Sequence, residues 1–354
     1  MAQSTDGRPL RVAVVGLRMG ASMLAELAKH PHATVQAVCD PDESQARTVA
    51  ATHGVEGVYL DFETMLASEE LDGVCISTPN RLHAPMVRAA LARGMHVLCE
   101  KPLTLDTEEA RELLAMARKA GVTHGTNFSN RPNPAVQYVK EQVASGVLGQ
   151  IYECHLSYLQ DWLSDASAPY TWRNSRAESG SGALGDVGSH VLDLARLFAG
   201  EVASVSAHVV VVTPERARAD GSQATVDADD LAYMQLQFAT GAHGVLRVSR
   251  VARGRCDGRR IELYGSKASL VLEIDSNVNR VLRADKTTTW NGDGFREVFA
   301  QDPYISSWGG NTRNWVDAAF EGREMSPNFE DGLRCQEILD AAIRSAAERR
   351  WVDL

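Results

Sequence analysis

The chain has 354 residues, 44% hydrophobic and 23% charged, with a net charge of −10. That length suggests about two domains, each long enough for its own core. The acidic balance, with Lys and Arg scattered, argues against nucleic acid and anionic membrane as partners, because phosphate contacts need a concentrated basic face.

The N-terminus (MAQSTDGRP) is polar and lacks the apolar stretch of a signal peptide. Residues 11–15 (RVAVV) then form a short β-branched run suited to a buried strand. A helix is expected from 20 to 29, a strand at 34–39, a helix at 43–51 and a short strand at 57–59. Next come a strand at 73–78, a helix at 82–92, a strand at 95–99, a helix at 106–119 and a last strand ending near 126. Strands alternating with helices predict a doubly wound parallel sheet, which binds ligands at the carboxyl ends of its strands. Past residue 150 the texture changes. One helix is expected near 187–198, then strands at 201–213, 228–240, 242–252, 259–264, 268–274 and 279–284 with short turns between them. These imply a mostly antiparallel sheet, followed by helices at about 311–321 and 330–349. The polar segment 214–227 reads as a mobile surface loop. The expected division is a dinucleotide-binding Rossmann domain over 1–126 and a substrate and oligomerisation domain over 127–354, an α/β fold throughout. No apolar run reaches the ~18 residues of a membrane span. The six cysteines show no CxxC pairing and no metal-ligand clustering, and read as small buried hydrophobes in a reducing cytoplasm.

Strand 11–15 runs into Gly16-Leu17-Arg18-Met19-Gly20-Ala21. This is GxxxGA where a dinucleotide fingerprint has GxGxxG: either Arg18 replaces the middle glycine or the turn is one residue short. Asp40, 24 residues after Gly16, closes the second strand. A carboxylate there accepts from the adenosine ribose hydroxyls and repels a 2′-phosphate, which favours NAD over NADP. Arg18 is the competing signal, since a guanidinium can accept that phosphate.

Three further motifs follow in order: Thr78-Pro79-Asn80 with His83, Glu100-Lys101-Pro102, and the glycine-rich run Gly180 to His190 containing Asp186. With the tail from Phe329 to Ala346, they resemble the Gfo/Idh/MocA oxidoreductases, and the resemblance covers nearly the whole chain. It implies a Rossmann domain followed by an open, mostly antiparallel sheet whose exposed face pairs members into dimers or tetramers. It implies cofactor contacts from Gly16, Arg18, Met19, Gly20, Asp40, Thr78, Pro79, Asn80, His83, Glu100 and Lys101. It also implies that Lys101 meets both cofactor and reacting hydroxyl.

Oxidation of an alcohol needs a base for the hydroxyl proton and a charge to stabilise the alkoxide. Asp186 and His190, four apart, share one face of a helix. His190 is therefore assigned as base and Asp186 as its orienting partner or a substrate ligand, with Asp193 an alternative partner. Asn127 and the Trp172-Arg173 pair are further cofactor candidates. Arg131 and Tyr158 are substrate candidates, and Trp162 and Tyr304 offer faces on which a sugar can stack. No metal site is expected. The activity expected is oxidation of a ring hydroxyl of a sugar, inositol or related glycoside to a ketone. The competing readings are an NAD-dependent glycosidase acting through transient oxidation and a non-catalytic cofactor-binding regulator.

Overall fold

The computed structural model describes residues 7–286, 294–301 and 309–354. Tyr304 lies outside these residues. The chain begins with β1 (Leu10–Val15), α1 (Leu17–Leu27), β2 (Ala33–Cys39), α2 (Glu43–His53), β3 (Gly57–Tyr59) and α3 (Phe62–Ser68). It continues with β4 (Gly73–Ile76), α4 (His83–Ala92), β5 (His96–Glu100), α5 (Thr107–Ala120) and β6 (His124–Asn127). The six strands pair in parallel in the order β3-β2-β1-β4-β5-β6. β1 lies between β2 and β4, so the strand order reverses beside it, where such sheets bind their ligands.

Next come α6 (Pro134–Ala144), β7 (Ile151–Leu159), α7 (Arg176–Ser179), α8 (Ser189–Ala199), β8 (Val202–Val210), β9 (Glu215–Ala217) and β10 (Gln223–Thr225). These are followed by β11 (Leu231–Phe238), β12 (His243–Ser249), β13 (Gly258–Gly265), β14 (Ser269–Ile274), β15 (Asn279–Ala284) and β16 (Arg296–Ala300). The chain closes with α9 (Gly310–Glu321), α10 (Phe329–Glu348) and β17 (Val352–Asp353). A nine-stranded sheet runs β16-β15-β14-β13-β7-β12-β11-β8-β17. It is antiparallel except where β12 meets β7. Alternation is strict in β11: Ala232, Met234, Leu236 and Phe238 are buried, and the residues between them face out.

The described residues form two compact units, 7–129 with 309–336, and 130–301 with 337–354. The expected division at 126/127 therefore moves by three residues, and the segment expected at the end of the second domain partly returns to the first. The reason is packing. Trp315, Val316 and Ala318 of α9 are fully buried with Leu10, Val12, Leu24 and Leu98. Phe329 and Leu333 are buried on the other core, with Ile76, Val97 and Leu103. Each large apolar side chain so buried contributes about 1.5–3 kcal/mol.

Several elements escaped the sequence pattern: α3, α6, β7 and β16. The segment 214–227 also departs from expectation. It contains the β9–β10 hairpin, and Arg216 within it is 1% exposed. Its guanidinium donates to the carbonyls of Leu163, Asp165 and Ala168 at 2.9, 2.9 and 3.1 Å. A buried cation holding three carbonyls ties the segment to the fold. Five cysteines are buried, and Cys256 is exposed against expectation.

Burial holds the imidazoles of His83, His96 and His124 below their usual range, His83 and His124 being pushed down to about 4. The Nδ1 atoms of His96 and His124 accept backbone N–H groups of Thr123 and Phe329, which fits neutral rings. The unfolded chain protonates His83 and His124 as pH falls through their ordinary value of 6.5, and the native chain resists until about pH 4. Stability is therefore full above pH 6.5 and falls through that window. Urea unfolding at a series of pH values is expected to show an uptake approaching two protons on unfolding from these two groups; equal stability at pH 7 and about pH 4.5 would contradict it.

Candidate active site

In the first unit, α1 follows β1 at once and starts at Leu17 rather than at the expected Gly20. Gly16 caps the helix with φ +81°, and a Cβ there would lie 2.4 Å from the carbonyl oxygen of Ser77. Only glycine gives this turn its conformation and its closeness to β4. Gly20 falls inside α1 against Val14. Arg18 and Met19 stand exposed on the first turn of the helix, whose positive end suits an anion. Asp40 has duties the sequence did not show. Its Oδ2 accepts from the N–H of Leu17 at 2.8 Å, and its Oδ1 accepts from that of Asp42 at 3.0 Å. The carboxylate holds the glycine turn in place, and its remaining lone pairs are open to further donors.

His83, expected as a cofactor contact, is 0% exposed. Its Nδ1 lies 2.8 Å from the carbonyl of Pro102 and its Nε2 3.0 Å from that of Thr78. A neutral ring donates only one of these bonds, and the shorter one ties the start of α4 to the Glu100-Lys101-Pro102 segment with the Thr78 carbonyl packed against the other nitrogen, a correction to its expected role. Replacing His83 by alanine removes this tether and leaves a cavity between the two segments, and is expected to cost about 2–3 kcal/mol and to raise KM for NAD. Thermal unfolding and initial rates check this; a wild-type melting curve would contradict it.

Asn127 and Glu100 also turn inward. Glu100 Oε1 accepts from Asn127 Nδ2 at 2.6 Å, and Glu100 Oε2 accepts from the backbone N–H of Lys101 at 3.2 Å. Asn127, 2% exposed, accepts in turn from Asn311 Nδ2 at 3.1 Å. This chain of hydrogen bonds fixes the backbone from which Lys101 projects. Asn311 was missed, because it lies 184 residues away in sequence.

In the second unit, Gly182 and Leu184 donate their N–H groups to Asp229 Oδ1 and Oδ2 at 2.7 and 2.8 Å. Burial pushes this carboxyl above its ordinary range, opposed by the two amides and by Arg250. The glycine-rich segment then enters a π turn, Leu184–Gly188, before α8. Asp186 lies within that turn and His190 in the first turn of α8, so the pair spans a junction rather than one regular helix. Asp186 is about one quarter exposed and flanked by two guanidinium groups. Arg173 Nε is 4.0 Å away and Arg250 Nη1 is 3.7 Å away. Arg173 also stacks on its neighbour Trp172 at 4.3 Å.

Three expectations change here. Asp193, the alternative partner for His190, is held by Arg131: Nε and Nη2 donate to its two oxygens at 2.8 and 2.5 Å, and both residues are buried. Arg131, expected to touch substrate, thus serves as the anchor of α8. Tyr158, also expected to meet a sugar, is 4% exposed. Its hydroxyl donates to Asp257 at 2.7 Å and accepts from Arg259 at 2.7 Å. Its ring centroid lies 6.1 Å from that of His190, so it backs the imidazole. Trp162 remains 43% exposed, with Nε1 fixed on Gln160 at 2.9 Å.

Arg250 and Asp229 were missed, although a signal for Arg250 existed. Gly244, Leu246 and Val248 point inward along β12, and the next inward step is 250. An arginine at an inward position marks a buried cation with a purpose.

Residues 10–128 match the oxidoreductase family described as having an NAD-binding Rossmann fold, and residues 136–271 match the GFO/IDH/MocA C-terminal domain. Levoglucosan dehydrogenase of Pseudarthrobacter phenanthrenivorans is 31% identical over 346 residues, covering 90% of this chain and 88% of that protein. Inositol 2-dehydrogenase of Rhizobium meliloti is 27% identical, covering 95% and 96%. The structure of a levoglucosan dehydrogenase in complex with NADH superposes with a TM-score of 0.90 at 30% identity, covering 98% of this chain and 99% of that one. The chain belongs to the Gfo/Idh/MocA family of NAD-dependent sugar and polyol oxidoreductases.

Proposed function

We propose that this protein oxidises a ring hydroxyl of a sugar, an inositol or a related glycoside to a ketone, with NAD as oxidant. The observation that carries this reading is Asp186, part exposed between two arginines and four residues ahead of His190. His190 takes the hydroxyl proton. Asp186 orients the imidazole or the substrate, and Lys101 stabilises the negative charge that develops on oxygen. The residues fit the dinucleotide: Gly16 leaves no room for a side chain, Arg18 and Met19 stand exposed in the first turn of α1 where a pyrophosphate would lie, and Asp40 favours NAD over NADP. NAD, when bound, accepts the hydride from the carbinol carbon. The family's levoglucosan and inositol dehydrogenases support this substrate class. Absorbance of NADH over a panel of aldoses, glycosides and inositols tests it, with reduction by at least one member expected. No reduction across the panel would overturn it, and release of an aglycone without net NADH would point to elimination through transient oxidation instead.

One face of the nine-stranded sheet supports a homo-oligomer. Tyr233 and Val245 are 48% and 46% exposed there, beside His155, Arg247, Arg260 and Glu262 around a concavity of ≈ 530 Å³. A second copy would cover this apolar centre. Light scattering is expected to give at least twice the 38.5 kDa of the chain, and Val245→Glu to lower that mass. A wild-type protein that scatters as a monomer would contradict it. Among the described residues no helix is long and apolar enough to cross a membrane.

A further inference from the structure

We infer that Arg250 and Asp186 form a clamp for a second substrate hydroxyl, vicinal to the one oxidised. The inference rests on the sugar-dehydrogenase reading above.

Arg250 is rigidly held. Its side chain is 1% exposed, its backbone N–H donates to the carbonyl of Asp230 at 2.9 Å, and its Nη2 donates to that of Asp229 at 2.8 Å. Its Nη1 is buried and makes no hydrogen bond among the described residues. The carboxylate oxygen facing it, Asp186 Oδ2, stands at 3.7 Å. That is beyond hydrogen-bond range, and a buried guanidinium N–H without an acceptor is unfavourable. The gap has a size that one oxygen fits. Two atoms 3.7 Å apart can both lie about 2.9 Å from a third placed to the side of the line joining them.

That oxygen must accept from the guanidinium and donate to the carboxylate. A hydroxyl does both, whereas an ether or carbonyl oxygen only accepts. The indole of Trp162 lies with its centroid 5.5 Å from the guanidinium carbon and helps to hold the guanidinium in place. Asp186 sits in the π turn that leads directly into the first turn of α8, which carries the assigned base His190, so the clamp takes the hydroxyl next to the one that loses its proton. The site thus selects a vicinal diol on a ring. Arg250 is a positioning residue: it fixes which carbon of the ring is presented.

The test uses the best sugar or cyclitol of the NADH panel and its monodeoxy analogues, on the wild type and on Arg250→Gln and Arg250→Lys. The wild type is expected to lose roughly 10- to 100-fold in kcat/KM on the analogue that lacks the clamped hydroxyl, and far less on the others. Arg250→Gln is expected to lose a similar factor on the parent sugar and nothing further on that analogue, with Arg250→Lys between. A loss in Arg250→Gln that is equal for parent and analogue would reduce Arg250 to a support for Asp229 and overturn the clamp. If neither variant folds, the wild-type series decides alone: equal rates on every analogue mean that the gap holds only water. A wild type that reduces NAD with no sugar removes the dehydrogenase reading itself, whereas turnover without discrimination removes only the clamp.

Discussion

Lys101→Met is expected to lower kcat by about 10²- to 10³-fold while leaving NAD binding within a few-fold. The side chain keeps its length and loses its charge. Proton removal from an alcohol leaves negative charge on oxygen, and a positioned ammonium in a water-poor site stabilises that charge more than water does. The surroundings show why the effect falls on the chemical step. The backbone of Lys101 is held by Glu100, which is held by Asn127, which is held by Asn311. His83 holds the carbonyl of the next residue, Pro102. None of these tethers uses the ammonium, so the variant keeps all of them. Single-turnover NADH formation and NAD titration by intrinsic fluorescence separate the two quantities. A variant that keeps wild-type kcat would take Lys101 out of the chemistry, and one that loses NAD affinity in proportion to rate would make it a cofactor ligand only.

Gly182→Ala is the second large effect. A Cβ at position 182 would lie 1.7 Å from the carbonyl oxygen of Asp229 and 2.5 Å from its carbonyl carbon and nitrogen. These are backbone atoms of a residue 6% exposed, so no flexible side-chain end can give way. The substitution must push the loop off Asp229 and break the bonds from the N–H groups of Gly182 and Leu184. Arg250 donates to the same carbonyl and would be displaced with it. The expected cost is about 3 kcal/mol, or roughly 6–12 °C in melting temperature for a unit of this size. Activity is expected to fall further than stability alone explains, because Asp186 begins only four residues later. Differential scanning calorimetry with parallel rates tests this, and a variant that melts and turns over like the wild type would contradict it.

What could be read from the sequence was mostly local. The alternation of strand and helix up to Asn127 followed from period and from turn residues, and the three motifs marked Lys101, Asp186 and His190. What could not be read depends on partners distant in the chain. Arg131 finds Asp193 across 62 residues and Asn311 finds Asn127 across 184, so a candidate ligand and a candidate cofactor contact became supports. His83 carried a motif's promise, yet its position between two carbonyls requires the sheet to exist first. The segment 214–227 was misread because its polarity resembles a solvated loop, while its one buried arginine supplies the order. The altered glycine turn was legible as a departure, but the hold that Asp40 has on it was not.

The pH dependence of kcat/KM tests the central claim most directly. With the sugar that reduces NAD best, the wild type is predicted to show a rising limb governed by one ionisation in the range open to a histidine. His190→Ala is predicted to fall by about 10²- to 10⁴-fold at neutral pH and to lose that limb. A His190→Ala variant that keeps both the wild-type rate and the wild-type pH profile would contradict the assignment.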